Sequence, residues 1–286
     1  MSIVAYANIP QHPLKVSGIS MDNEQETWRP IHYDLDSNNQ KILPNNFLVF
    51  RVQFQDVKFR EEISNCAFEH TGLCPYCHAH DYEYFYKYMI HAKSFYSDAS
   101  GGKYELEFTI APKVYTLPHN LNWYGNNANN NESINRVWLV QHLMDEIRKD
   151  NGNHGFDFKD HYEGILIFHS AAGEESDLDR IRTQTLMSAF MPIERFNSIL
   201  APDDKDYRGI PTPNNTYITK VGLLAAHQFH DYFYERVQQY PNNDYRFDIL
   251  GVLTNHIGRL LGFPTLFGNM SETYGRHAGV GNFCVM

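Results

Sequence analysis

Apolar positions recur with different periods along the chain, and those periods predict strands alternating with helices. Leu48-Val49-Phe50-Arg51-Val52-Gln53-Phe54 alternates in its second half, the pattern of a half-buried strand. Asp81 to about Tyr96 is rich in aromatics without a breaker and predicts a helix. Gly101-Gly102 then turns the chain into an alternating strand over Lys103–Ile110. After an Asn-rich loop, Ser133 caps a second helix whose apolar face is drawn from Ile134, Val137, Trp138, Leu139 and Leu143. Gly164-Ile165-Leu166-Ile167-Phe168 is a short continuous apolar run, as in a strand covered on both faces, and it exits into the acidic loop 171–177. Leu223 to Gln239 has helical spacing and stops before Pro241. Strands interleaved with helices predict an α/β (α+β) sheet domain.

Residues 1–45 lack periodicity, are rich in Pro, Asn and Asp, and read as an irregular arm or linker preceding one domain over 46–286. Ile3-Val4-Ala5-Tyr6-Ala7 matches the end of an export signal with an A-x-A cleavage site, although the basic and long apolar regions are missing; the alternative is an extended arm. Residues 279–286 mix Gly with apolar side chains, unlike a solvated tail, so the expectation is that the natural chain continues. A formal net charge of -10 argues against a sequence-independent grip on nucleic acid, which needs a basic face. No stretch approaches the roughly 18 apolar residues of a membrane span.

The strongest local signal lies near the C-terminus. Over residues 248–262 the apolar side chains fall at Ile249, Val252, Leu253, Ile257, Leu260 and Leu261, one stripe of an amphipathic helix. Gly262 supplies a left-handed cap and Pro264 blocks continuation. Asn255 and Arg259, four apart, share a face. The segment resembles the active-site helix of the immune inhibitor A family of secreted zinc metalloproteases, patterned H-E-x-x-H-x-x-G-x-P-D followed by Leu-Tyr. The frame retained here is Gly258, Leu261, Gly262, Pro264, Leu266 and Phe267. Further segments fit in order. Phe50–Phe59 is similar to the family's opening strand and Tyr82–Pro112 to its helix-then-strand passage. Gly164–Glu175 is similar to its strand ending in an Ala-Gly turn, and Gly279–Met286 to the stretch around its Met-turn. The resemblance covers roughly 46–286, with insertions around 63–80 and 220–245. It implies a zincin-like domain with a twisted mixed sheet, an active-site helix beneath a cleft, and an extracellular or periplasmic location.

Every chemical position of that motif differs. The first ligand His becomes Asn255, the general-base Glu becomes His256, the second His becomes Arg259, and the Asp after the Pro becomes Thr265. Catalytic zinc needs three protein lone-pair donors and one open position. A guanidinium has no acceptor and stays protonated. Its charge about 5 Å from a dication costs on the order of 6–7 kcal/mol at an effective dielectric of about 20. The implied function is therefore that of a catalytically inactive homologue binding a peptide or protein, or serving a larger assembly. The rivals are an active metallopeptidase with relocated ligands (His256 with His227 and His230) and a haem-bearing protein.

The haem reading rests on a second constellation, Cys66, Glu69, His70, Cys74, Cys77, His78 and His80. Cys74-Pro75-Tyr76-Cys77-His78 fits C-x-x-C-H, where two thiols attach haem c and the imidazole ligates iron, with His70, His80 or His91 as a second axial ligand. The same side chains suit structural zinc held by Cys66, Cys74, Cys77 and His78. Disulfides among the four Cys, Cys284 included, and a thiol-redox pair fit as well. His227 and His230, three apart, have a metal-binding spacing if helical, though such His are more often ordinary surface or core residues. Glu174, Glu175, Asp177 and Asp179 lack the regular oxygen-donor loop of a calcium site and read as a solvated acidic loop.

Overall fold

The computed structural model describes residues 43–61, 79–125, 132–150, 155–158, 162–174, 186–227 and 249–263. The strands are β1 (Asn46–Gln53), β2 (Glu107–Thr116), β3 (Gly164–Ala172), β4 (Ala189–Pro192), β5 (Ile210–Pro211), β6 (Tyr217–Ile218) and β7 (Lys220–His227). The helices are α1 (Tyr82–Ala99), α2 (Leu121–Tyr124), α3 (Glu132–Lys149), α4 (Ile193–Leu200) and α5 (Leu250–Leu260). Among the described residues, five strands form one mixed sheet in the order β2-β1-β3-β7-β4. The first four run parallel, and β4 pairs antiparallel with β7 at one edge. The α/β class is thus as the sequence predicts. No described helix is long and apolar enough to cross a membrane.

Parallel neighbours need crossovers, and the helices these supply cover both faces of the sheet. Phe47, Val49, Leu166, Phe168, Leu224 and Ala226 pack on the side of α1 and α5. Leu48, Phe50, Val52, Ile165, Ile167, Val221 and Leu223 pack on the side of α3 and α4. This corrects the half-buried reading of the first strand: Phe47 to Val52 are all buried, because β1 lies inside the sheet with helices above and below. Arg51 is buried with them, its Nη2 donating to the carbonyls of Ala111 (3.3 Å) and Pro112 (2.6 Å). Those carbonyls lie in a bulge where the register passes from Val49↔Ile110 to Arg51↔Val114. Pro112 is tolerated there because an edge-strand bulge needs no ladder N–H from it.

Three further readings change. The strand expected over 103–110 runs instead over Glu107–Thr116, because Ser100 Oγ accepts from Lys103 N and Tyr104 N, tying them to the end of α1, and pairing with β1 begins only at Glu107. The second helix begins at Glu132, so Ser133 lies inside its first turn; Ile134 and Trp138 are exposed, while Val137, Val140, Leu143, Met144 and Ile147 face the core. Leu223–His227 is strand, not helix. It completes β7 between β3 and β4, and burial on both faces overrides the helix preference of Leu and Ala. Residues 228–248 lie outside the described residues.

Candidate functional site

α5 packs on β7, β4 and α1. Leu253, Ile257 and Leu260 enter the core, as the apolar stripe predicts. Two glycines let the helix sit close to the sheet. A Cβ at Gly222 would meet Leu166 Cδ2 at 3.0 Å and His256 Cβ at 3.3 Å, and one at Gly164 would meet Leu260 Cδ2 and Phe47 Cδ1, each at 3.0 Å. Buried tyrosines of α1 fix its place: the Tyr96 hydroxyl donates to Thr254 O (2.5 Å) and that of Tyr84 to Ala226 O on β7 (2.7 Å). The helix ends as predicted. Gly262 has φ 89°, Gly262 N–H donates to Arg259 O at 3.0 Å and Phe263 N–H to Gly258 O at 2.9 Å, closing a Schellman cap.

The face away from the sheet is formed by exposed Gly251 with half-buried Val252, Asn255 and Arg259. Asn255 and Arg259 therefore do share the accessible stripe. The Arg259 guanidinium carbon lies 5.0 Å over the Phe190 ring on β4. Phe190 pairs in register with Gly222, so the edge strand and the helix meet through these side chains. His256 lies on the other side. It is 7% exposed, its Cδ2 is 3.7 Å from where a Gly222 Cβ would stand, and its Nδ1 is 2.9 Å from Val252 O. A carbonyl only accepts, so Nδ1 carries the proton.

The motif positions do not suit a catalytic zinc ion. Asn255 offers an amide, Arg259 offers only donors and is stacked on an aromatic ring, and the one imidazole is turned into the protein with Nδ1 committed to a backbone carbonyl. Thr265 lies outside the described residues, as do Cys66, Cys74, Cys77, His78, His70 and His230. Of the Cys/His constellation, His80 is described and buried; its ring stacks on His227 at 5.3 Å and is tilted against Tyr84 at 4.8 Å. His91 lies on the exposed side of α1. His227 and His256 are not brought together: His227 ends β7 five residues beyond Gly222, about 16 Å along the strand. Among the described residues no three His, Cys, Asp or Glu side chains group as metal ligands would. Of the acidic loop's carboxylates only Glu174 is described, half-buried, and Ala171 and Ala172 belong to β3 instead of the loop.

Phe190, Gly222 and strand β4 escape the sequence reading. An isolated Gly in an apolar run signals close backbone approach, and Gly222 carried that signal. No protein-family model matches this chain, and no curated protein matches it.

Proposed function

We propose that the chain is a non-catalytic relative of the zincin-like metalloproteases, similar to the immune inhibitor A family, which binds an extended peptide or a protein segment where α5 meets β4. One observation carries the reading: the accessible stripe of α5 presents an amide and a guanidinium at the motif's two ligand positions, while the only imidazole is buried. A helix following the last parallel strand and seated beside an antiparallel edge strand is compatible with the implied scaffold. Arg259 and Asn255 there act as donors to a partner's backbone carbonyls or carboxylates rather than as metal ligands. An exported, extracellular or periplasmic chain belongs to the same proposal.

The test pairs elemental analysis of purified protein with a casein assay run with and without chelator, and then a screen of immobilised unstructured peptides. The expected result is no stoichiometric zinc at the α5 positions, no chelator-sensitive cleavage, and peptide capture that Arg259→Ala weakens. Zinc bound at the 255–259 turn, or proteolysis abolished by chelator, overturns the inactive reading; peptides that bind equally well to Arg259→Ala overturn the binding role.

A further inference from the structure

Among the described residues β2 pairs with β1 alone, so the sheet ends there, and one flank of α1 overhangs that end. The flank shows Tyr82, Tyr86 and Ile90, one turn apart from each other and 44%, 39% and 40% exposed. Tyr82 and Tyr86 stack at 6.2 Å, and Tyr86 reaches half-buried Phe108 on β2 at 5.8 Å. Lys93 continues the stripe and bridges to Glu105 and Glu107 at the start of β2. On its opposite flank α1 turns toward β7, where the Tyr84 hydroxyl donates to Ala226 O. The backbone of β2 is open on the same side as the stripe. Glu107 N–H donates inward to Asn45 O at 2.6 Å. Backbone groups alternate sides along a strand, so Phe108 and Ile110 turn their N–H and C=O outward, ahead of the bulge that contains Pro112. Their side chains pack on the α1 side of the sheet. An unpaired edge beside an apolar stripe is a template for one more strand.

The chain itself delivers a segment to this edge. Residues 1–42 lie outside the described residues and join the fold at Leu43, which packs on the α1 side of the sheet. Pro44 O accepts from the Tyr104 hydroxyl at 2.6 Å, so the junction sits beside the start of β2. The arm has no sustained period, but Ile31, Tyr33 and Leu35 alternate with His32 and Asp34 over one short run. Pro30 precedes that run and the turn-forming Asp36-Ser37-Asn38-Asn39 follows it, the punctuation of a strand. Residues 37–45 link it to β1. Extended, they reach roughly 30 Å, against the two strand spacings, about 10 Å, that separate β1 from a position outside β2.

We propose that residues 31–35 of the chain's own arm add to β2 as a further strand of the sheet, with Ile31, Tyr33 and Leu35 beneath the Tyr82–Tyr86–Ile90 stripe. The direction follows from the junction: the segment ends where β1 begins, and β1 runs parallel to β2, so the added strand is antiparallel. An antiparallel strand at the edge of a parallel sheet is a common arrangement, and β4 already supplies one at the other edge. Leu35 opposite Phe108 and Tyr33 opposite Ile110 puts the apolar side chains on the face of α1. Pro30 suits the outermost position, where no ladder N–H is needed from it. The pairing is independent of the peptide-binding role of α5.

The experiment replaces exposed Tyr86 in the full chain by the photo-crosslinker p-benzoylphenylalanine, which keeps an aromatic ring at the site, and maps the products by mass spectrometry. Cross-links to residues 28–36 of the same chain are expected. Ile31→Asp combined with Tyr33→Asp lowers their yield about tenfold or more, because each substitution puts a charge where an apolar side chain is covered. A second measurement needs no photo-crosslinker. In the parent chain the amides of Tyr33 and Leu35 exchange hydrogen at least about tenfold more slowly than those of an unfolded chain, and truncating Ile31 to Ala speeds them. Cross-links that avoid the arm, links formed only between two copies of the chain, or Tyr33 and Leu35 amides exchanging at the unfolded rate in the parent overturn the proposal.

Discussion

Gly222→Ala tests the seating of α5 through the sign of its effect. In a strand with room to spare, replacing Gly by Ala stabilises by about 0.5–1 kcal/mol, because Ala loses less backbone freedom on folding. At this position the new methyl would stand 3.0 Å from Leu166 Cδ2 and 3.3 Å from His256 Cβ. Leu166 is fully buried and the His256 Cβ is fixed to the helix, so neither yields easily. Overpacking of this kind costs about 1–3 kcal/mol, and it outweighs the entropic gain. Leu166→Ala removes the tighter contact at a cost of about 2–5 kcal/mol on its own. The double variant is therefore less destabilised than the two single effects added, by about 1 kcal/mol or more. Urea unfolding of the four proteins, followed by far-UV circular dichroism, measures all the terms. A stabilised Gly222→Ala protein would show that α5 does not press on Gly222, and additivity within about 0.5 kcal/mol would show that Leu166 is not what crowds the new methyl.

Two other perturbations probe the β2 bulge and the packing around His142 on α3. Arg51→Met leaves the Ala111 and Pro112 carbonyls of the β2 bulge without their donor, and should lower stability by about 1–3 kcal/mol in urea unfolding; an unchanged midpoint would mean the clamp contributes nothing. His142 should titrate in NMR below its ordinary 6.5, because burial and then His119 disfavour the charged ring. The unfolded chain then binds the proton more readily, so the stability this group contributes is complete above about 6.5 and falls as pH drops toward the folded midpoint. A midpoint at or above 6.5 contradicts that environment.

How much of this was legible in the sequence follows from which physical signal each segment carried. α5 was legible because six apolar positions at helical spacing, a glycine cap and a following proline agreed. The run from Gly164 to Phe168 was legible as a covered strand because β-branched residues and phenylalanine fill it. Val221-Gly222-Leu223-Leu224-Ala225-Ala226 was not, since Leu and Ala favour helix locally and only pairing with β3 and β4 makes the segment a strand. β4 has four residues ending in Pro192, too few for any period, and its existence is a tertiary fact. Trp138 misled in the opposite direction. It follows Ile134 by four residues and looks like part of a core stripe, yet the stripe through Val137, Val140 and Met144 is the one that packs. At the site, the shared face of Asn255 and Arg259 was readable from spacing, whereas the burial of His256 was not, because helical spacing cannot tell how close the sheet lies.

That burial also decides whether the motif could be restored by substitution. Asn255→His with Arg259→His places two imidazoles one turn apart on the half-exposed stripe, where they should bind Ni²⁺ or Zn²⁺ without loss of fold. His256→Glu is a different matter. The carboxylate would take a position 7% exposed, beside Gly222 and within reach of the Val252 carbonyl, which repels it. Placing a charge in a buried site beside an acceptor costs about 3–5 kcal/mol at neutral pH. The cost is smaller when the group is protonated, so the carboxyl should titrate above the usual value of about 4.3. Protons are then bound more readily by the folded chain, and the variant should be least impaired near pH 4 and increasingly destabilised as pH rises toward 7. Urea unfolding of His256→Glu against the parent across that range reads the effect directly. A variant as stable as the parent at pH 7 would place position 256 in solvent, and the metal-free account of α5 would lose its geometric basis.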